Sequence, residues 1–316
     1  MRTRLLALLI LLALCPATAQ AQEGTLKIVF IDVGQGDSTL VIMPNGRAML
    51  VDGGPRDQSQ AVLSAMQEHG VSELDVVVAT HPHADHIGGL IGVIYNMPVE
   101  RVIDSGQRHI TQTFGDYEQA AEARGIPIEA VREGQTINLD PSVSVLVLNP
   151  DDTVPVGAHD EDDFNNNSVA IRLDYGEFSA MLPGDIEKET EGKIAMEKDL
   201  DVDVVLASHH GSGGSNTSVY LQDATPEVVV IYAGAGNPYG HPHPDALQRL
   251  DANSQHIFRT DLDGTIVLES DGSSEYTMSA AGRTVVVPEF ENAAVVAGLS
   301  LLAALVLVDR KLSGLA

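Results

Sequence analysis

The chain has 316 residues, 18 Lys and Arg against 45 Asp and Glu, a formal charge of −27, one Cys and no Trp. That length suits one large domain or two ordinary ones, and 44% apolar residues exclude a disordered or collagen-like chain. A single Cys excludes an intramolecular disulfide scaffold and a Cys-rich zinc finger.

The charge is uneven. Residues 23–292 hold 14 bases against 44 acids, because Arg2, Arg4, Arg310 and Lys311 sit at the ends. Such a surface repels phosphate backbones and anionic lipid at ordinary salt. The abundance of Asp and scarcity of Lys suit either a chain living in high salt, where screening shortens repulsion, or an ordinary acidic secreted protein.

Met1 to Ala21 has a basic start, an apolar stretch Leu5–Leu14, then Pro16 and Ala17-Thr18-Ala19-Gln20-Ala21. This is a secretory signal pattern, and cleavage is expected after Ala19 or Ala21. The β-rich runs Leu26–Val33, Ser38–Met43 and Arg47–Val51 follow, with Asn45-Gly46 as a tight hairpin turn between the last two. Helical stretches are expected at Gln58–His69, Ile87–Asn96 and Thr113–Arg124, with strands Asp75–Ala79 and Val99–Ile103 between them. The second half repeats the style. Ser142–Leu148, Val169–Asp174 and Phe178–Leu182 read as strands, and Glu187–Lys198 as a helix. Val202–Ala207 and Val228–Tyr232 read as buried strands, Asp245–Asp251 as a helix and Thr265–Glu269 as a strand. Hairpins plus strand–helix alternation in both halves predict two sheets faced by helices, a four-layer α/β arrangement over residues 22–287. Ala293–Val308 then runs without a charge before Asp309-Arg310-Lys311. It is expected to be a membrane-associated tail within 288–316, its basic pair fitting a cytoplasmic end.

The chemistry falls at strand ends. Thr80-His81-Pro82-His83-Ala84-Asp85-His86-Ile87-Gly88-Gly89 follows a strand directly and opens a helix. His81 and His83 are two apart, so an extended chain points both the same way. Asp85 and His86 come as the chain turns into the helix and aim at a neighbouring point. Three imidazoles and a carboxylate in six residues are ligand types for Zn, Mn or Fe. Asp52, Asp185 and His209-His210 each end or follow another strand, so one polar group per strand gathers along one sheet edge.

These pieces resemble the metallo-β-lactamase superfamily, and within it the β-lactamase-like domain of ComEC-type competence proteins. The matching segments run in order from Asp32-Val33-Gly34-Gln35-Gly36-Asp37-Ser38 through Asp52-Gly53-Gly54, the His81–Gly89 run, Asn166-Asn167-Ser168, Leu182-Pro183-Gly184-Asp185-Ile186, His209-His210-Gly211-Ser212 and Gly240-His241-Pro242-His243-Pro244 to Thr260-Asp261-Leu262-Asp263-Gly264. The many membrane helices of a full competence channel do not accompany them. The resemblance implies the αβ/βα metallo-β-lactamase sandwich and two divalent metal ions, Zn foremost with Mn or Fe as alternatives. By motif, His81, His83 and His210 would hold the first metal, Asp85 and His86 the second, and Asp185 would bridge them. Asp52 would orient ligands from behind, and Asn167-Ser168 stands where many relatives carry another His. Asn167 is therefore a further supporting candidate, and His241 a candidate to reach in.

The activity so implied is hydrolysis of a phosphodiester, DNA or nucleotide-like, by a hydroxide generated at the two ions. Asp85 would orient it, and His209 or His241 would protonate the leaving oxygen. A small phosphoester or a lactone is an alternative substrate, and a metal-dependent surface-binding protein without turnover is an alternative of another class. Pro288-Glu289-Phe290 before the apolar run resembles the PEF-type sorting tails of surface proteins. The expected partners are thus a phosphoester, nucleic acid included, the membrane through the tail, and a sorting enzyme. No obligate protein partner is expected. The expected location is the cell surface, exported and anchored facing outside.

Overall fold

A computed structural model describes residues 24–157, 163–198 and 200–288. The expected signal segment and nearly all of the expected tail lie outside them. Among the described residues, no helix is long and apolar enough to cross a membrane.

Two sheets face each other. The first half supplies β1 (Leu26–Phe30), β2 (Thr39–Ile42), β3 (Ala48–Val51), β4 (Leu74–Ala79), β5 (Val99–Asp104) and β6 (Ile128–Ala130), with helices α1 (Ser59–Glu68), α2 (Ala84–Asn96) and α3 (Gln112–Arg124). The second half supplies β7 (Val143–Asn149), β8 (Ala170–Tyr175), β9 (Phe178–Leu182), β10 (Val204–Leu206), β11 (Val228–Ile231) and β12 (His256–Arg259), with α4 (Lys188–Glu197), α5 (Ser218–Ala224) and α6 (Pro244–Asn253). A short helix α7 (Thr260–Asp263) then leads to β13 (Ile266–Ser270), β14 (Glu275–Ala280) and β15 (Arg283–Pro288). The nine-stranded sheet has the order β15-β14-β13-β1-β2-β3-β4-β5-β6, and the six-stranded sheet β12-β11-β10-β9-β8-β7. In each half an antiparallel set (β1-β2-β3; β7-β8-β9) passes into a parallel set (β3 to β6; β9 to β12).

Period-two alternation builds the layers. Along β4, Val76 and Val78 enter the core between the sheets, while Val77 and Ala79 pack under the helices. On the other sheet Val228 and Val230 face inward, while Val229 and Ile231 face the outer helices. Val62 of α1, Leu90 of α2 and Tyr117 of α3 cover the first sheet; Ile194 of α4, Leu221 of α5 and Leu250 of α6 cover the second. The result is the four-layer αβ/βα sandwich that the strand–helix pattern predicts. Fully burying each aliphatic side chain contributes roughly 1.5–3 kcal/mol relative to exposure. This dense packing holds the strand ends, and whatever they carry, in fixed places.

Several elements differ from their expected spans. Helix α2 starts at Ala84 rather than Ile87, because Asp85 and His86 form its first turn. Helix α5, β6, β12 and the edge hairpin β14–β15 have no counterpart in the expected elements. They are short or half-exposed, and their apolar alternation is too brief to register.

Candidate metal centre

All the chemistry lies at one edge, where the C-terminal ends of β3, β4, β9 and β10 meet. Asp52 follows β3 in a left-handed conformation, with φ of 58°. This turns its carboxylate back across the sheet edge. Its Oδ1 accepts the Thr80 amide at 2.8 Å, and its Oδ2 accepts the Thr80 hydroxyl at 2.7 Å. The same Oδ2 lies 2.8 Å from His86 Nδ1. Close packing of α2 makes that last contact. A Cβ on Gly89 would stand 1.8 Å from the Gly53 oxygen, and one on Gly36 would stand 2.3 Å from the Asp85 oxygen. These two glycines let the start of α2 lie directly on the loops after β3 and β1.

Asp185, after β9, is the hub. Its Oδ2 stands 3.3 Å from His86 Nε2, 3.5 Å from His210 Nε2, and 3.7 Å from both His81 Nε2 and His209 Nε2. Its own amide is held by the Ser168 hydroxyl at 3.2 Å. His209 and His210 follow β10 in left-handed backbone, with φ of 49° and 54°, which turns both rings toward Asp185. His210 Nε2 also lies 3.5 Å from Asp85 Oδ2, and His210 Nδ1 lies 3.0 Å from Asp37 Oδ1. Each of the two central imidazoles thus has one nitrogen on a buried supporting carboxylate and the other on Asp185.

The donor set fits divalent cations. His86 Nε2, His210 Nε2 and Asp185 Oδ1 are buried without a hydrogen-bond partner among the described residues, a costly condition for polar atoms. Neighbouring ligands on one tetrahedral ion with bonds of ~2.0–2.2 Å stand ~3.3–3.6 Å apart, close to the spacings around Asp185. His81, His86 and Asp185 form one ligand group, and Asp85, His86 and His210 another; Asp37 joins Asp185 and His210 in a third, and Asp52 and His86 in a fourth. The electrostatics agree. Burial opposes charge on His86 and His210, but Asp185 with Asp52 or Asp37 outweighs it and holds both imidazoles well above their ordinary range. Burial would raise Asp185, yet His86 and His210 keep it well below the usual carboxylate range. His81, with burial and the neighbouring His86 both acting downward, lies well below the ordinary histidine range. Three buried carboxylates on a shared centre call for positive charge there.

Apart from Asn167, the remaining expected residues line a pocket of about 430 Å³ above this floor. His83 Nδ1 is 3.0 Å from His81 Nε2, and its ring faces the pocket, outside the four ligand groups. Asp85 is partly open; burial would raise its carboxyl, yet the His210 contact and the His86 charge outweigh it and hold it well below the usual range. His209 faces the pocket with Nδ1 3.2 Å from Glu187 Oε1. His241 is half-buried beside His209 and His210, and burial with those two rings lowers it to about 4. Asn167 is elsewhere. Its amide reaches Asp163 at 3.2 Å, and it lines a separate cavity with Asn149 and Lys193. The supporting place beside Asp185 belongs to Ser168, and Asn165 lines the histidine pocket. The expectation for Asn167 came from its position before the strand, where a one-residue offset reverses the direction of a side chain. Asp37, expected as part of a glycine turn, is buried against His210. Its signal was its place in the Asp32–Ser38 segment, a turn returning to the sheet edge.

The family model of the metallo-beta-lactamase superfamily matches residues 31–209. The chain belongs to that superfamily. It is 30% identical over 264 residues to ComE operon protein 3 of Bacillus subtilis, covering 78% of this chain and 33% of that protein. It is 26% identical over 252 residues to Recombination protein 2 of Haemophilus influenzae, covering 78% of this chain and 29% of that one. The resemblance to ComEC-type competence proteins therefore holds over most of the chain, which spans about a third of the length of these curated relatives. Among solved structures, the metallo-beta-lactamase fold protein YhfI from Bacillus subtilis superposes with a TM-score of 0.49 at 14% identity, covering 78% of this chain and 100% of that one.

Proposed function

We propose that the protein is a metal-dependent hydrolase of phosphodiester bonds. One observation carries this reading: a single carboxylate oxygen of Asp185 stands 3.3–3.7 Å from the Nε2 atoms of four histidines. His81, His86, Asp185 and His210, with Asp85 and His83 at the pocket side, would hold two divalent ions, Zn first. Such ions supply Lewis acidity and lower the pKa of a water at the site from about 15.7 toward 7.

The chain's own residues do the rest. Asp52 and Asp37 fix the tilt of His86 and His210 through their Nδ1 atoms and raise the basicity of Nε2. Asp85, partly open and held ionised, orients the attacking water from the pocket side. His209, turned into the pocket beside Glu187, is placed to move a proton to the leaving oxygen. His241, lowered to about 4, is neutral at pH 7 and serves there as a hydrogen-bonding group rather than as the acid.

The relatives' names speak of competence and recombination, which supports a nucleic-acid phosphodiester. The charge of −27 and the absence of Lys and Arg among the described lining residues favour a nucleotide-sized substrate or a strand end over a long duplex, whose binding rests on phosphate neutralisation. The test is metal stoichiometry together with hydrolysis of bis(p-nitrophenyl) phosphate. Two ions per chain and turnover that a chelator abolishes are expected. A metal-loaded protein inert toward phosphoesters and lactones would point instead to a surface-binding role. Export and anchoring through residues 288–316 belong to the same proposal, supported by the sequence pattern of both ends. Deleting 288–316 is expected to move the protein from the membrane fraction to the soluble one.

A further inference from the structure

Resting on the phosphodiesterase reading, we infer that Tyr239 is a stacking platform for an unpaired nucleobase of the substrate. The chain has seven tyrosines. Five are buried, Tyr95 is 45% exposed and Tyr239 is 66% exposed. The most exposed of them lines the histidine pocket.

Tyr239 is not a loose surface ring. It stacks on His241, with ring centroids 5.9 Å apart and planes 28° apart. His241 in turn stacks over His210, at 6.2 Å and 26°. Three rings thus step in near-parallel planes from the pocket floor, where His210 meets Asp185, to the mouth. The loop that bears them is tied down. The Asn237 amide donates to the carbonyls of Gly234 at 2.9 Å and His241 at 2.6 Å, and its Oδ1 accepts the His241 amide at 3.0 Å. The Gly234 amide also donates to Gln35 Oε1 at 3.1 Å, which pins this loop to the loop after β1. A rigid aromatic face at the mouth of a site costs little further ordering when a second ring settles on it.

The charge distribution selects what that ring belongs to. With no Lys or Arg among the described lining residues and a net charge of −27, no side-chain cation holds a phosphate ester here. Stacking does not need it, since every base has a π-face. A base inside a duplex has both faces covered, so the class of substrate is a nucleoside phosphodiester with an unpaired base, a dinucleotide or a single-strand end. Its base rests on the open face of Tyr239 while its phosphodiester lies over Asp85 and Asp185.

Two readouts in the full chain test this in wild type, Tyr239→Phe and Tyr239→Ala. The first is binding of a methylphosphonate-linked dinucleotide carrying 2-aminopurine, which resists hydrolysis and loses fluorescence on stacking. The second is cleavage of an ordinary dinucleotide against an abasic counterpart. Wild type and Tyr239→Phe are expected to quench the probe, and Tyr239→Ala to bind it roughly 10-fold more weakly. Tyr239→Ala is expected to lower kcat/KM on the base-bearing dinucleotide by a similar factor through KM, and to leave the abasic one unchanged. Absence of quenching, or equal affinity and equal cleavage in wild type and Tyr239→Ala, overturns the platform. Quenching through Tyr239 without cleavage of either substrate keeps the platform and overturns the hydrolase reading. Cleavage indifferent to Tyr239 does the reverse.

Discussion

The floor of the pocket and its wall are built on different terms. His81, His86, Asp185, His210 and Asp52 are at most 2% exposed, and each is tied to a strand end, to another ligand or to both. His83, Asp85, His209 and His241 are only partly covered; His83 and Asp85 reach the pocket from the start of α2, His209 and His241 from loops. Buried polar atoms must be satisfied or they cost stability, so floor residues carry structure and chemistry together. Wall residues have water as an alternative partner and carry chemistry almost alone. Floor variants are therefore expected to change stability, metal content and turnover at once, variants of Asp85 and His83 metal content and turnover, and variants of His209 and His241 only turnover.

The sharpest test of that division is Asp185→Asn. Losing the shared carboxylate charge removes several kcal/mol of stabilisation at the centre and should lower turnover about 10³-fold or more. Metal content should fall with it, read by elemental analysis of the purified variant. Full metal occupancy with full turnover would mean that Asp185 is not the hub.

Beneath the floor lies a second buried group. Asp104 ends β5, and burial raises its carboxyl to about 6 even though the Gly106 amide donates to it at 2.7 Å. Its other oxygen, the Tyr117 hydroxyl and the Gln107 amide atoms are buried without hydrogen-bond partners among the described residues. They line a cavity of about 10 Å³ beside His81, room for about one water. The sign follows from linkage. A carboxyl raised above its unfolded value of about 3.9 contributes stability that is fully present below pH ~4 and lost as pH rises through 6, a loss of about 3 kcal/mol by pH 8. Asp104→Asn retains the acceptor for Gly106 and escapes that loss. Denaturant melts should find it more stable than wild type at pH 8 and equal near pH 4. A difference that does not change with pH would refute the assignment.

The two supporting carboxylates allow a finer comparison within the floor. Asp52 accepts two hydrogen bonds from Thr80 besides facing His86, whereas Asp37 faces only His210 through its side chain. Asp52→Asn and Asp37→Asn should each lower metal affinity or activity ~10–100-fold. Only Asp52→Asn should also lower the melting temperature clearly, because the turn after β3 and the start of the histidine loop both depend on it. Equal destabilisation by both would show that the sheet edge, not the individual bond network, sets the cost.

The same division explains what was legible in the sequence. The four layers could be read because strands such as Val228–Ile231 are short, continuous and apolar, and alternate with helical periods. The site's location could be read because His81, His83, Asp85 and His86 crowd into six positions, and Asp52, Asp185 and His210 each follow a strand. Asp37 was harder, since its role depends on a contact with His210, far away in the chain and on the other sheet, that no local spacing encodes. Asn167 was misplaced for the same reason: which of Asn165, Asn166, Asn167 and Ser168 turns toward Asp185 depends on the turn before β8. The edge hairpin β14–β15 has no counterpart among the expected strands because polar and exposed residues interrupt its apolar alternation.

His241 tests the wall. It is half-buried, neutral at pH 7 and stacked between Tyr239 and His210, with its backbone fixed by Asn237. If it acts as a neutral hydrogen-bonding group, His241→Ala removes one such bond, worth a factor of about 10 in turnover. Metal content and melting temperature should stay at the wild-type value, since the ring supports no element of the fold. The pH–rate profile should keep its shape, because a group titrating near 4 is already neutral across the working range. Loss of the alkaline limb in His241→Ala would instead make His241 the proton donor and His209 the bystander, and the wall's division of labour would have to be exchanged between those two rings.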